Sequence, residues 1–242
     1  MNFGLLLLLA VVNFGLIALS YKLFGRKGVI GFIVLSVIAA NLQVNKAIIF
    51  DIFGFELEAT LGNVMFGGVF LATDLLSEIY DKKTALKAVY ISIFANVSFI
   101  IVMYISTLFE SLDYTMEYSN AIDLFFKIDF NTFLETGGAF KAVLVGNFVY
   151  LISQSLDVYV YQKLKDKFKG YKLLFIRNNG STIVSQAVDS VLVTIGFAFV
   201  GIFPFSFVGG IIITTIVIKY MIAVIDTPFL YLMTRITPLD DN

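Results

Sequence analysis

The 242-residue chain has no cysteine and no histidine, and only 14% of its residues are charged. Without cysteine there is neither a disulfide frame nor a thiolate metal site. Without histidine the commonest general base, the commonest metal ligand and the usual near-neutral proton relay are missing. These absences argue against most intramembrane enzyme chemistry. A serine protease wants His beside its Ser, and the Gly-x-Gly-Asp pattern of an intramembrane aspartyl protease does not occur. A P-loop is also missing, so ATP-driven work would need a separate ATPase. No metal and no cofactor is expected.

What fills the chain is apolar. Hydrophobic residues make up 59% of it and the mean hydropathy is +0.90, whereas soluble domains average roughly 45–50% apolar. A helix needs about 20 residues to cross the hydrocarbon core, and runs of that kind recur. They cover Phe3–Phe24, Gly28 to about Ala40, Asn63–Tyr80, Thr84–Phe109, Ala139–Gln162, Asn178–Phe203 and Phe205–Met233. Pro204 marks the last turn, because proline cannot continue a helix without losing a hydrogen bond. Asp51–Gly62 reads as a membrane-edge loop or a short hairpin, and Glu110–Gly138 is the longest stretch that spans nothing. The expected fold class is all-α: a polytopic membrane helix bundle of seven spans, with a six-helix core and an added N-terminal helix. It forms one transmembrane domain, with residues 1–27 as accessory first helix and 28–235 as core.

Charge gives a second line on topology. Lys and Arg collect in cytoplasmic loops. Lys22, Arg26 and Lys27 flank the first connection, Lys82, Lys83 and Lys87 the third, and Lys163, Lys165, Lys167, Lys169, Lys172 and Arg177 the fifth. The second and fourth connections are acidic, and the sixth carries no charge. This alternation places the N-terminus outside and the C-terminus in the cytoplasm. It also makes the Lys-rich fifth loop a topology determinant rather than a nucleic-acid or lipid site.

Polar side chains inside the spans are the informative ones. A charge at the bilayer centre costs about 2.5–3.5 kcal/mol on insertion scales and usually faces a cavity or a partner helix. Asp74 and Glu78 stand at i,i+4 in the third span, hence on one face. The fifth span holds Asn147, Ser153, Gln154 and Asp157, and the sixth repeats the pattern Asn-x5-Ser-Gln-x2-Asp 32 residues on, as Asn179, Ser185, Gln186 and Asp189. At 3.6 residues per turn the Asn, Gln and Asp of each copy fall within about 80° of arc. Each helix therefore shows a narrow polar stripe, and the two glutamines are expected at similar depth. The seventh span carries Lys219 and Asp226, with Asp226 a candidate to neutralise Lys219. Amides in spans often do no more than hold helices together, for about 0.6 kcal/mol each. Four acids facing one intramembrane lysine are harder to explain that way, and need protons or a donor-rich guest. Carboxylates accept and amides do both, which suits a flat molecule with a guanine-like edge, or a cation.

The residues that carry this argument resemble a known group. Ala72-Thr73-Asp74-Leu75-Leu76-Ser77-Glu78-Ile79-Tyr80 with Lys82-Lys83, Ile152-Ser153-Gln154-Ser155-Leu156-Asp157-Val158, Arg177-Asn178-Asn179-Gly180-Ser181-Thr182, Ser185-Gln186-Ala187-Val188-Asp189-Ser190 and Asp226-Thr227-Pro228-Phe229-Leu230-Tyr231 are similar to the motifs of the queuosine precursor transporter family, also called the vitamin-uptake-like transporter family. The likeness covers about residues 40–235, in matching order. It implies an inner-membrane importer of 7-cyano- or 7-aminomethyl-7-deazaguanine. Two positions depart from the pattern: Asp81 stands where the family usually has Gly, and Asn63-Val64-Met65-Phe66 where it tends to have proline. Under this reading Asp74, Glu78, Gln154, Asp157, Gln186 and Asp189 line the substrate cavity. Arg177, Asn178 and Asn179 sit at its cytoplasmic mouth, and Lys219 pairs with an acid or with the substrate carbonyl. The expected partners are a deazapurine and the lipid bilayer, with no nucleic acid; a homo-oligomer or an ATPase partner is left open. The alternatives are the substrate-capture subunit of an ATPase-driven importer and an ion channel, which would show charge rings and pore-lining repeats.

Overall fold

In the computed structural model, residues 2–52, 55–127 and 138–239 are described. They form seven α-helices and one β-hairpin: α1 (Asn2–Gln43), β1 (Ala47–Ile52), β2 (Phe55–Thr60), α2 (Gly62–Ile79), α3 (Lys82–Ser106), α4 (Met116–Phe126), α5 (Gly138–Lys167), α6 (Leu174–Phe199) and α7 (Val208–Met233). Five helical segments are long and apolar enough to cross a membrane, those containing α1, α3, α5, α6 and α7. Their outward faces are hydrophobic, with Phe94, Val102, Phe199, Ile213 and Val224 all more than 60% exposed. Water would not tolerate that much apolar surface; lipid does. The chain is an all-α, multi-pass membrane protein.

The first two apolar runs merge into one long helix with a break. Gly25, at φ 54 and ψ −140, takes a conformation that a side chain resists. The stripe Leu6, Ala10, Phe14, Ile17 and Tyr21 before the break and Val29, Ile33, Val37 and Ala40 after it are all buried, so both halves face the bundle. A break leaves a carbonyl one turn earlier without its helical donor, and Lys22 O accepts instead from Leu239 N at 2.8 Å.

Of the helices, α2 is the one enclosed by protein: 14 of its 18 residues are buried. It carries Asp74 and Glu78, and a helix wrapped by other helices does not need a lipid-compatible surface. Gly67 lets α2 approach the Ile222 side chain of α7, and Gly68 lets it approach Asn13 and Ile17 of α1. A Cβ at either glycine would collide with those neighbours. Asn13 also donates to Val64 O at 3.3 Å.

Both departures from the family pattern find local solutions. Asp81 is the N-cap of α3, accepting from Thr84 N at 2.7 Å. Its φ of −159 is ordinary extended backbone, so no glycine is required there. The entry to α2 needs no proline because Leu61 is already helical and Val64 N donates to Leu61 O. The stretch around Asp51–Gly62 forms the antiparallel hairpin β1–β2, in register from Ala47 opposite Thr60 to Ile52 opposite Phe55. Within Glu110–Gly138, the short α4 follows a turn of 3₁₀-helix, and Phe126 packs edge-on against Phe99 of α3 at 5.6 Å. Residues 128–137 lie outside the described part.

The connections sort to two ends. Lys165 Nζ donates to Ser77 O and Glu78 O, Tyr171 packs against Tyr231 and Arg235, and Arg26 lies over Tyr80. The Gly25 break, the α2–α3 and α5–α6 connections and the end of α7 therefore share one end, the basic one. The hairpin lies at the other, where Asn2 donates to Ile49 O.

Candidate functional site

Polar residues of α2, α5, α6 and α7 turn inward together. Thr73, Asp74, Ser77, Gln154, Asp157, Asn178, Ser181, Thr182, Ser185, Gln186 and Asp226 are each no more than 1% exposed. Each polar atom in such a place lacks water and must be satisfied by protein or by a guest.

The repeated motif is the frame of this cluster. Ser153 of α5 donates to Asp189 of α6, and Ser185 of α6 donates to Asp157 of α5, both at 2.8 Å. The serine of each copy thus serves the aspartate of the other. The asparagines also match: Asn147 donates to Val143 O and Asn179 to Phe175 O, each one turn back. Two antiparallel helices bearing one pattern at one depth produce this two-fold reciprocity, as in transporter folds built on inverted repeats.

An ion pair closes each end. Towards the basic end, Arg177 Nη2 donates to Glu78 Oε1 at 2.8 Å, and Tyr161 OH donates to Glu78 Oε2 at 2.8 Å. The other arm of the guanidinium, Nη1, donates to Phe168 O at 2.7 Å and Gly170 O at 2.9 Å. These are carbonyls beyond the end of α5, where helix C-termini leave acceptors without donors. Arg177 therefore ties α2, α5 and α6 with one planar fork. Towards the hairpin end, Lys219 of α7 pairs with Asp189 of α6. Twelve residues of α6 separate Arg177 from Asp189, a rise of about 18 Å.

Between the pairs many atoms have no partner among the described residues. Both oxygens of Asp74, Oδ2 of Asp157, Oδ2 of Asp226, Oδ1 of Asn178, Nε2 of Gln154 and both amide atoms of Gln186 are buried and unbonded, as are the hydroxyls of Ser77 and Thr182. Asp157 lies against Asp74, with Asp226 and Glu78 close enough to act on it electrostatically. Native structures pair the great majority of buried polar groups, and this concentration of exceptions, contributed by four helices, marks a place built to hold something. A cavity of about 530 Å³ opens at the basic end beside the cluster, lined by Glu78, Lys165, Tyr171, Arg177 and Thr234 among others.

The sequence-derived residues fall into three groups. Asp74, Gln154, Asp157, Asn178 and Gln186 come together in the middle. Glu78 with Arg177, and Asp189 with Lys219, bracket them. Asn179 stands aside, half-buried and donating to Thr227 Oγ1 at 2.7 Å. One expectation needs correction: Asp226 does not neutralise Lys219. Seven residues on one helix lie about 10.5 Å apart along its axis, whereas Asp189 on the neighbouring helix is in contact with Lys219. Asp226 accepts from Asn178 Nδ2 at 2.8 Å instead. Sequence reasoning did not single out Tyr161, or Thr73, whose hydroxyl donates to Gln154 Oε1 at 3.0 Å. Tyr and Thr are too ordinary in spans to signal a role. Lys165, read only as a topology charge, also reaches in to two α2 carbonyls.

A multi-helix membrane bundle with an inward polar cluster at the junction of motif-bearing helices, capped by an ion pair at each end, has the architecture of a small-molecule carrier. Comparison with known proteins agrees. Residues 60–233 match the family described as "Putative vitamin uptake transporter", and the chain belongs to that family of transporters. It is similar to the "Probable queuosine precursor transporter" of Bacillus subtilis (strain 168), being 36% identical over 234 residues that cover 96% of this chain and 95% of that one. No solved structure matches the chain.

Proposed function

We propose that this protein imports a queuosine precursor, a 7-deazaguanine bearing a 7-cyano or 7-aminomethyl group, into the cytoplasm. The observation that carries the reading is the set of fully buried, unpartnered acceptors and amides between the two ion pairs, in a chain that aligns end to end with a relative named for this substrate. A deazaguanine edge presents adjacent N–H donors and a carbonyl. Carboxylates accept from the first, and the amides of Gln154 and Gln186 can donate to the second. The cluster is longer than a bicyclic base, so the guest contacts its middle: Asp74, Gln154, Asp157, Asn178 and Gln186. Glu78–Arg177 and Lys219–Asp189 act as inner and outer closures, and the cavity beside Arg177 is the cytoplasmic exit.

The chain acts as a single transmembrane domain of seven spans, with α1 counted twice because it breaks at Gly25. The basic end faces the cytoplasm of the cell (inner) membrane and the N-terminus lies outside. The positive-inside rule supports this orientation, as does the gathering of the lysine-rich connections at one end.

The test is uptake of radiolabelled 7-aminomethyl- and 7-cyano-7-deazaguanine by membrane vesicles containing the protein. Uptake above that of empty vesicles, and its loss in correctly inserted Asp157→Asn protein, is expected. No uptake of either compound by the wild type would overturn the reading.

A further inference from the structure

The charges inside the bundle do not balance. Five carboxylates, Asp74, Glu78, Asp157, Asp189 and Asp226, meet two buried cations. Both cations are engaged, Arg177 with Glu78 and Lys219 with Asp189. Asp74, Asp157 and Asp226 form no ion pair with any described residue, and each is 1% exposed or less. Their neighbours supply only neutral donors: Ser185 to Asp157 and Asn178 to Asp226.

The unpartnered atoms lean the same way. Asp74 Oδ1 and Oδ2, Asp157 Oδ2, Asp226 Oδ2, Asn178 Oδ1 and Gln186 Oε1 accept only, whereas Gln154 Nε2, Gln186 Nε2 and Arg177 Nε donate and the Ser77 and Thr182 hydroxyls can do either. Two amide N–H groups suffice for one carbonyl on a planar guest. The acceptors far exceed what the N–H edge of such a guest can use, and they are concentrated on the three carboxylates without cations. An ammonium brings three donors and a full positive charge. A metal ion fits less well, because among the described residues no three acidic groups converge closely enough to hold one. An organic cation, with its charge on a flexible arm, can meet carboxylates spread over α2, α5 and α7.

Resting on the import reading above, we propose that the site selects a positively charged guest over a neutral one of the same shape: among 7-deazaguanines, the aminomethyl form over the cyano form. The planar edge lies at Gln154 and Gln186, and the ammonium arm enters among Asp74, Asp157 and Asp226. A neutral cyano group offers these carboxylates no donor and leaves their mutual repulsion in place. Buried charge–charge interactions are strong because water does not screen them.

The experiment is competition against radiolabelled 7-aminomethyl-7-deazaguanine on purified protein in detergent, with the unlabelled aminomethyl and cyano compounds as competitors. The aminomethyl form should compete at least 10-fold more strongly. Asp226→Asn and Asp74→Asn, which keep side-chain size, should each shrink that ratio at least 3-fold, chiefly by weakening the aminomethyl form. Equal competition by the two compounds overturns the charge selection and leaves the import reading standing. So does a preference for the cyano form, or tight cyano binding accompanied by proton uptake from weakly buffered solution, which would mean that protons balance the carboxylates. Failure of both compounds to bind removes both readings. A ratio unchanged in both folded variants would also overturn the proposal, because the acids would then not read the arm.

Discussion

Removing the guanidinium of Arg177 tests the closure at the basic end. Its side chain is 3% exposed and makes three charge-assisted hydrogen bonds, to Glu78 and to the carbonyls of Phe168 and Gly170. Arg177→Gln keeps a polar chain but loses the charge and the fork. Breaking a buried pair by deleting one partner typically costs about 3–5 kcal/mol, because the other charge stays behind. Glu78 is 17% exposed and keeps the Tyr161 hydroxyl, so some water reaches it and the lower end, about 3 kcal/mol, is expected. Glu78→Gln should cost less, roughly 1–2 kcal/mol, since Arg177 retains both carbonyls and the new amide can still accept. The double variant should recover part of the loss, with a coupling of about 1.5–3 kcal/mol, within the range for contacting residues. Reversible unfolding in mixed micelles titrated with sodium dodecyl sulfate would measure all four corners of the cycle. If Arg177→Gln costs under about 1 kcal/mol, or the two changes add to within about 0.5 kcal/mol, the pair does not hold α2 to α6 and the closure argument fails.

The reciprocal serines should behave as a matched pair. Ser153→Ala and Ser185→Ala each remove a hydrogen bond to a carboxylate, for about 1.5–3 kcal/mol, with Ser153→Ala the milder because Asp189 is partly exposed; the same titration compares them, and a null effect at both would break the reciprocity. At the start of α3, the Thr84 N–H holds the Asp81 carboxyl below the usual carboxylate range. Its capping contribution is therefore present above the unfolded-state value and is lost as the pH falls through the lower folded value. The protection of amides in the first turn of α3, measured as exchange relative to the intrinsic rate at each pH, should fall on acidification, and Asp81→Ala should abolish that fall.

Much of the site was legible because burial in lipid is so costly for polar groups. The Asn-x5-Ser-Gln-x2-Asp repeat, read at helical period, placed two stripes face to face, and the Ser153–Asp189 and Ser185–Asp157 bonds realise that placement. The spans were readable wherever a helix faces lipid on one side. The break at Gly25 was harder to see, because Gly25-Arg26-Lys27 reads equally as a loop between helices or as a single strained residue inside one. The central position of α2 was hard to see, because Asp74 and Glu78 mark one inward face without revealing that 14 of its 18 residues are buried. The partner of Lys219 was misassigned to Asp226 because a sequence shows neighbours along one helix, and the ion pair runs to another. The donors Tyr161 and Thr73 depend on which helices touch, which one span's pattern does not reveal.

The most direct test uses Gln186, whose amide oxygen and nitrogen are both buried and bonded to none of the described residues. Gln186→Leu removes an unsatisfied polar group, so without guest the variant should unfold at the same temperature as the wild type or higher. Calorimetric titration of the same preparation with 7-aminomethyl-7-deazaguanine should show affinity reduced at least 10-fold, about 1.4 kcal/mol. Asn147→Leu, which breaks the bond from Asn96 at 2.8 Å and the one to Val143 O at 2.9 Å, should leave affinity unchanged. Undiminished binding by a stable Gln186→Leu protein would contradict the claim that these inward amides and acids are where the guest is held.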